Sequence, residues 1–261
     1  MSAIARQKKI LEFVRKTEGI SVQDLVDHLE ASPATVRRDL VRLEEEGKVL
    51  RTHGAVLDRR SLEGEPSFSL KRKRVPEIKR RIGRSVADVV PPGTSVFIDA
   101  GTTCLEAGLE LLARDHSYTI YTNSLPLLYH GGNHSSPLIA RGGEVRALTG
   151  ALVGGMALDW VRHLRFDVAI LGSSALDESC GAMTTELTEA SVKRAVIEHA
   201  EITVLAADSG KLGQSATVHF ADWSDFTFWV TDEDIPAKVE KQIRQRHNDL
   251  LIQKAPNLSP R

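Results

Sequence analysis

The sequence predicts an α/β protein in which a small helical unit precedes a larger unit built on a mostly parallel sheet. Two observations support this prediction. Residues 3–46 show the helical spacing of apolar side chains three times in succession. From Pro76 onward, short apolar segments with strand character alternate with helical patterns, which is typical of a parallel sheet covered on both faces.

The length and charge of the chain narrow the possible functions. Its 261 residues suffice for two domains. Residues 1–84 hold 20 Lys and Arg against 13 Asp and Glu, whereas residues 85–261 hold 14 against 22. This asymmetry fits a polyanionic partner at the front, and on the count alone it fits a random distribution of surface charge equally well. Cys104 and Cys180 lack metal-ligand spacing, and no apolar segment reaches the roughly 20 residues of a membrane span. We therefore expect a cytoplasmic protein without metal, cofactor or membrane association.

The N-terminal pattern predicts a DNA-binding motif. Helices are expected over residues 3–16, 22–29 and 33–46, and Ser32 has the character of an N-cap for the third helix. Residues 48–57 then predict two short strands. Three helices followed by a two-stranded appendage are typical of a winged helix-turn-helix, whose third helix enters the major groove.

The third helix has two unlike faces. Val36, Leu40 and Leu43 form an apolar stripe, whereas arginines and a threonine point away from it. An arginine fork matches guanine or phosphate, and a helix N-terminus favours phosphate. Periodicity alone leaves an ordinary bundle with a charged, solvated face equally open. The predicted DNA contacts are Ser32, Thr35, Arg37, Arg38 and Arg42, with Lys48, Arg51 and His53 in the wing.

Residues 31–55, ASPATVRRDLVRLEEEGKVLRTHGA, resemble the DNA-binding unit of the DeoR family of bacterial repressors. The specific part is the core Thr-x-Arg-Arg-Asp-Leu, which runs from Thr35 to Leu40. The resemblance implies a transcription regulator that binds double-stranded operator DNA. It favours DNA binding over the solvated bundle.

Small polar residues follow five predicted strands of the larger unit. Six strands are predicted, over residues 95–100, 118–122, 138–141, 167–171, 202–207 and 226–231, and the small polar residues follow the first five. Carboxyl ends of parallel strands gather at one sheet edge, where ligands bind, and the start of a helix there suits an anion. The candidate effector-binding residues are Asp99, Gly101, Thr102, Thr103, Thr122, Asn123, Ser124, Arg141, Gly142, Gly143, Gly172, Lys193, Asp208 and Lys211.

Residues 76–232 resemble the DeoR-type effector domain, a fold related to ribose-phosphate isomerases. This resemblance implies a phosphorylated sugar or related metabolite as effector. The predicted organisation is a winged helix-turn-helix over residues 1–58, a linker over 59–75, the effector domain over 76–235, and a C-terminal helix and tail over 236–261. A dimer or tetramer is expected, because two DNA-binding units bind the two half-sites of an operator.

Two other functions stay open at this point. A sugar-phosphate isomerase with an attached DNA-binding domain would need a carboxylate base at the substrate carbon. The turn Leu171-Gly172-Ser173-Ser174 lacks the acids of the related isomerases, and Glu186 and Glu189 are interpreted as helix-start charges, so we expect no enzyme. An RNA-binding or nucleoid protein would need more cationic contacts than the N-terminal helix-turn-helix unit offers.

Overall fold

A computed structural model describes residues 3–17, 20–29, 31–46, 48–51, 56–58, 65–115, 117–131 and 136–257. The chain divides into two compact units, Met1–Arg74 and Val75–Arg261. Within the described ranges, every helix is too short or too polar to cross a membrane.

The first unit contains the predicted helices and wing. Its elements are α1 (Ala3–Thr17), α2 (Val22–Leu29), α3 (Pro33–Glu45), the antiparallel strands β1 (Val49–Arg51) and β2 (Val56–Asp58), and α4 (Phe68–Lys73). The apolar stripe of α3 packs with α1 and α2 around a core that includes Ile10 and Leu25. An antiparallel bridge from Ile20 to Val56 ties the wing to the segment before α2.

The second unit is built on one parallel sheet. The strands of this sheet are β3 (Ser95–Ile98), β4 (Thr119–Thr122), β5 (Leu138–Ile139), β8 (Phe166–Leu171), β11 (Ala200–Ala206), β13 (Phe228–Thr231) and β14 (Leu251–Lys254). In the described part of the chain their order is β14-β13-β11-β8-β3-β4-β5, and every neighbouring pair is parallel.

Helices and two small antiparallel sheets surround this sheet. The helices are α5 (Pro76–Val89), α6 (Thr102–Ala113), α7 (Leu125–Gly131), α8 (Gly154–Arg162), α9 (Leu187–Glu198) and α10 (Ala237–Arg246). The hairpin β6–β7 joins Glu144–Arg146 to Ala151–Val153, and a second sheet has the order β12 (Val218–Ala221), β10 (Gly181–Thr184), β9 (Ala175–Asp177). One apolar cluster joins Phe97, Leu171 and Leu205 to α8 and α9, while α5 and α6 pack on each other and on the strands.

All six predicted strands are present, but three features differ from the sequence prediction. Residues 59–75, predicted as a linker, contain α4, because Ser67 caps that helix and Leu70 is buried. Residues 236–261, predicted as helix and tail, also supply β14, the edge strand that pairs with β13. The hairpin β6–β7 and the sheet β9-β10-β12 were not predicted, since their strands have only three or four residues.

Candidate DNA-reading helix and effector site

Helix α3 presents its predicted polar face to solvent. The Ser32 hydroxyl oxygen caps the helix by accepting the Thr35 N–H at 3.2 Å, as the sequence predicts. Arg37, Arg38 and Arg42 are exposed. Arg42 Nε also donates to Glu46 Oε1 at 3.3 Å. The three arginines thus lie on the exposed face, while the opposite stripe is buried.

Asp39 has a structural role that the sequence analysis missed. Its side chain is buried, where it accepts hydrogen bonds from Arg6 Nε and, at 3.1 Å, from Gln7 Nε2. Both partners lie on α1. The carboxylate of Asp39 therefore holds α3 against α1 and does not face a ligand.

The predicted wing contacts are only partly described. Lys48 is exposed and donates to Glu46 Oε2 at 2.7 Å. Arg51 belongs to β1, but its side chain and the whole of His53 lie outside the described residues. The role of these three residues on DNA stays a prediction.

In the second unit, the ends of β3, β4 and β8 meet as predicted. The Asp99 carboxylate accepts the Gly172 N–H at 3.1 Å, and Asn123 Oδ1 accepts the Ala100 N–H at 2.9 Å. The Thr122 hydroxyl donates to the Ile98 carbonyl at 2.6 Å and accepts the Ser124 N–H at 3.0 Å. Three of the predicted segments thus form one polar cluster.

Lys193 belongs to the same cluster. Its ammonium group pairs with Asp99 and donates to the Gly172 carbonyl at 3.0 Å, and it lies 5.2 Å from the centroid of the Phe220 ring. Burial favours the neutral amine, but the charges of Asp99 and Glu189 outweigh it and raise the pKa of Lys193. Burial has the opposite effect on Asp99, because it favours the neutral acid and raises the pKa of that carboxyl. The charge of Lys193 counteracts this increase. Lys193 is therefore a buried cation at the strand ends.

The start of α6 lies beside this pair. Gly101 is the N-cap, and Thr102 and Thr103 are buried in the first turn. The hydroxyl oxygens of Thr103 and Ser173 are both buried and have no hydrogen-bond partner among the described residues. A Cβ on Gly101 would approach only Cys104 Sγ, at 3.7 Å, so packing within the protein does not require glycine there.

The last predicted segment also reaches this edge. Ser209–Lys211 form a 3-10 turn that begins at the buried Asp208, and Lys211 Nζ donates to the Ser173 carbonyl. Asp232 holds this turn in place, although its sequence context did not predict a role at this site. Its carboxylate accepts from the Ser209 N–H and hydroxyl, each at 2.7 Å.

Residues 141–143 stand apart from the cluster. Arg141 and Gly142 are exposed after β5, and no hydrogen bond in the described structure joins them to Asp99 or Lys193. A Cβ on Gly143 would lie 2.7 Å from the Val153 carbonyl oxygen, so close packing against β7 accounts for that glycine. Their part in effector binding stays a prediction.

Glu186 and Glu189 differ from each other, which corrects the expectation that both are helix-start charges. Glu186 does cap α9 by accepting the Glu189 N–H at 2.9 Å. Glu189 is buried and accepts from Arg146 Nη1 at 3.2 Å and from the Thr149 hydroxyl at 2.6 Å. The local sequence gives no signal for this partly buried ion pair, since Arg146 lies on the unpredicted hairpin.

A winged helix-turn-helix joined to an α/β unit with a polar strand-end cluster defines a DNA-binding transcription regulator with a sensor domain. Residues 6–59 match the model of the DeoR-like helix-turn-helix domain, and residues 74–233 match that of the DeoR C-terminal sensor domain. The chain belongs to the DeoR family of transcriptional regulators.

Named relatives agree with this assignment. The chain is 34% identical over 238 residues to the HTH-type transcriptional regulator GlpR of Haloferax volcanii, covering 91% of this chain and 93% of that protein. It is 33% identical over 253 residues to the glycerol-3-phosphate regulon repressor of Escherichia coli K12, covering 97% of this chain and 100% of that protein.

Two solved structures align with the chain at low similarity. Ribose 5-phosphate isomerase A from Neisseria gonorrhoeae aligns with a TM-score of 0.40 at 16% identity, covering 54% of this chain and 55% of that one. The translation initiation factor eIF-2B from Pyrococcus horikoshii aligns with a TM-score of 0.40 at 17% identity, covering 83% and 76%. At these TM-scores the predicted relation to ribose-phosphate isomerases stays a prediction.

Proposed function

We propose that the chain represses genes of carbohydrate metabolism and that a phosphorylated sugar or polyol controls it. Helix α3 and the wing bind the operator, and the effector binds at the ends of β3, β4 and β8. Effector binding favours a state of lower operator affinity, a coupling typically worth about 1–3 kcal/mol. The fold, the exposed arginines of α3 and the family of the chain support this function.

One observation carries the effector site. The buried hydroxyls of Thr103 and Ser173 have no partner in the described structure, and they lie where the start of α6 meets the segment after β8. Unpaired buried polar groups are costly, so a ligand that pairs them is favoured. Backbone N–H groups at a helix start and two nearby lysines suit a phosphoryl group. Glycine at position 101 leaves room for its close approach.

A thermal-shift screen of the full chain tests the site. The probes are glycerol 3-phosphate, fructose 1-phosphate, ribose 5-phosphate and inorganic phosphate, each beside its unphosphorylated parent where one exists; the name of the Escherichia coli relative puts glycerol 3-phosphate first. A probe at 100 times its Kd stabilises the folded state by about 2.7 kcal/mol. We expect phosphorylated compounds alone to raise the Tm. Equal shifts from the parents, or no shift at all, would refute the site.

The DNA-binding half is tested separately. Operator fragments selected from genomic DNA are footprinted with and without the effector found in the screen. A protected sequence that disappears on effector addition is the expected result. A gel shift without sequence preference and with a steep salt dependence would favour the nucleoid alternative instead. Paired half-sites about one helical turn apart, with a dimer or tetramer in light scattering, would agree with the proposed assembly.

We infer that the protein works in the cytoplasm, beside the DNA it controls. We also infer that it binds the effector without converting it to a product. An isomerase needs a carboxylate free to remove a proton from carbon. The turn from Leu171 to Ser174 offers none, and Asp99 is paired with Lys193. Incubation of concentrated protein with aldose and ketose phosphates, followed by NMR, should show no interconversion. Equilibration of the two would favour the isomerase.

A further inference from the structure

Val75 has an unusual backbone conformation at the junction between the two units. Its φ and ψ are 41° and 50°, in the left-handed region, and among the described residues it is the only one besides glycines with a positive φ. A β-branched residue rarely adopts this region, and the proline that follows restricts it further. The side chain of Val75 is exposed, so its packing does not impose the conformation. The backbone is therefore strained at this position.

This residue leads the chain from the first unit into the second. Val75 is the first residue of the second unit, and only Arg74 and Val75 separate α4 from α5. Val75 is also the N-cap of α5, and its carbonyl accepts the Lys79 N–H at 3.2 Å. Because α5 holds the carbonyl side of Val75, a change of its φ turns the preceding chain relative to that helix.

Helix α5 is closely joined to α6. A Cβ on Gly83 of α5 would lie 2.7 Å from the Glu106 carbonyl carbon, so the backbones of the two helices are in contact there. Arg114, which follows α6, donates to the Ala87 carbonyl at 2.7 Å and to Asp88 Oδ1 at 2.6 Å near the end of α5. Since close-packed elements transmit a displacement, a movement of α6 moves α5 as well.

Helix α6 begins inside the proposed effector site. Gly101 is its N-cap, and its first turn carries the Thr103 hydroxyl, which has no hydrogen-bond partner among the described residues. A phosphoryl group bound by the first N–H groups of α6 therefore acts on a helix that is in contact with α5. Because α5 starts at Val75, two packed helices connect the effector site to the strained residue.

We propose that Val75 is the hinge through which the effector controls the DNA-binding unit: one of two states of the protein has the left-handed conformation at Val75, and the other has an extended conformation there. This inference rests on the proposed function. The operator binds one state more tightly and the effector binds the other, so the cost of the left-handed conformation helps to set the effector concentration that releases the operator.

The test changes how readily residue 75 adopts a positive φ. Val75→Gly and Val75→Asn enter the left-handed region more readily than valine, whereas Val75→Pro fixes φ at about −65°. Fluorescence anisotropy of a labelled operator on the full chain measures the effector concentration that releases half of the bound operator. The effector is glycerol 3-phosphate, or fructose 1-phosphate or ribose 5-phosphate if only that compound shifts the Tm.

We expect Val75→Gly and Val75→Asn to shift this concentration by at least ~5-fold in the same direction, and Val75→Pro to shift it in the opposite direction. Val75→Asn keeps a side chain and therefore separates relief of strain from the added flexibility of glycine. It also keeps the test decisive if Val75→Pro fails to fold, because an unchanged release concentration in Val75→Asn would then overturn the inference.

Two further results would overturn the hinge and leave the proposed function in place. One is an unchanged release concentration in all three variants. The other is a shift of Val75→Gly and Val75→Pro in the same direction, which would indicate general damage to the junction. Failure of every phosphorylated probe to release the operator from the unaltered protein would overturn the proposed function, and this inference with it.

Discussion

Lys193 and Asp99 form an ion pair inside the α/β unit, where their side chains are 6% and 3% exposed. Removal of one partner from a buried pair leaves an uncompensated charge, which costs about 3–5 kcal/mol. Lys193→Met should lower the free energy of unfolding by this amount. All three tryptophans, Trp160, Trp223 and Trp229, lie in this unit, so fluorescence in urea follows its unfolding alone.

The double variant Asp99→Asn with Lys193→Met controls for lost packing. It removes both charges and keeps an acceptor for the Gly172 N–H. We expect it to be more stable than Lys193→Met alone. A double variant that is less stable than Lys193→Met would show that the uncompensated charge of Asp99 does not cause the loss of stability.

Arg38→Ala should weaken operator binding without changing stability. Arg38 is exposed on the polar face of α3, and loss of a bidentate contact to a base costs about 1–3 kcal/mol. Fluorescence anisotropy with a labelled operator measures the change in Kd. Arg162→Ala, an exposed arginine on α8, is the matched control and should leave the Kd unchanged. Wild-type affinity in Arg38→Ala would remove this residue from the DNA interface.

Asp39→Ala should affect the same helix through a different cause. Asp39 is buried and binds Arg6 and Gln7 of α1, so its loss removes a charge-assisted hydrogen bond worth about 1.5–3 kcal/mol. We expect faster amide hydrogen exchange in α3 together with weaker operator binding. Arg38→Ala should show only the second effect. Unchanged exchange in α3 would contradict the proposed anchoring.

Lys211→Ala and Thr102→Val should each weaken binding of the phosphorylated effector and leave operator binding intact. Charge-assisted hydrogen bonds contribute about 1.5–3 kcal/mol, so the Kd should rise ~10-fold or more for Lys211→Ala. Calorimetry measures the effector, and anisotropy without effector measures the operator. Lys241→Ala, on α10, is a suitable control for the lost charge. Unaltered effector affinity in both variants would mean that the site lies elsewhere.

Cys104 should make stability fall at alkaline pH. Burial, with a smaller contribution from the charge of Asp99, raises the pKa of its thiol from the ordinary 9.0 to about 12. Between these values the unfolded chain releases a proton that the folded chain retains, so stability declines as pH rises above 9. From pH 8 to 10 the unaltered protein should lose about 1–2 kcal/mol more than Cys104→Ser. If the unaltered protein and Cys104→Ser lost equal stability over this pH range, the thiol of Cys104 would not be the cause.

The sequence predicted those features whose cause is local. Buried parallel strands such as residues 168–171 are continuous apolar runs in the sequence. Ser32 and Pro33 mark the start of α3 through local backbone geometry, which does not depend on the partners against which the helix packs. The strand-end cluster was predictable for a related reason, because a parallel sheet gathers its carboxyl ends at one edge.

The features that were missed have distant causes. Asp39 lies 33 residues from its partner Arg6, and Glu189 lies 43 residues from Arg146, so each carboxylate looks in sequence like a solvated helix charge. Only the packing of α1 on α3, or of the β6–β7 hairpin on α9, makes them buried groups. The short strand β6 escaped detection for the same reason, since its three residues are exposed or half-buried and show no apolar alternation.

The outermost position of β14 has a consequence for synthesis on the ribosome. Residues 251–254 are synthesised after β13, and until they pair with that strand the row of N–H and C=O groups along one side of Phe228–Thr231 faces water. Such open edges invite association between nascent chains. A chain that lacks β14 would therefore keep its DNA-binding unit and yet expose the edge of β13 to association with other chains.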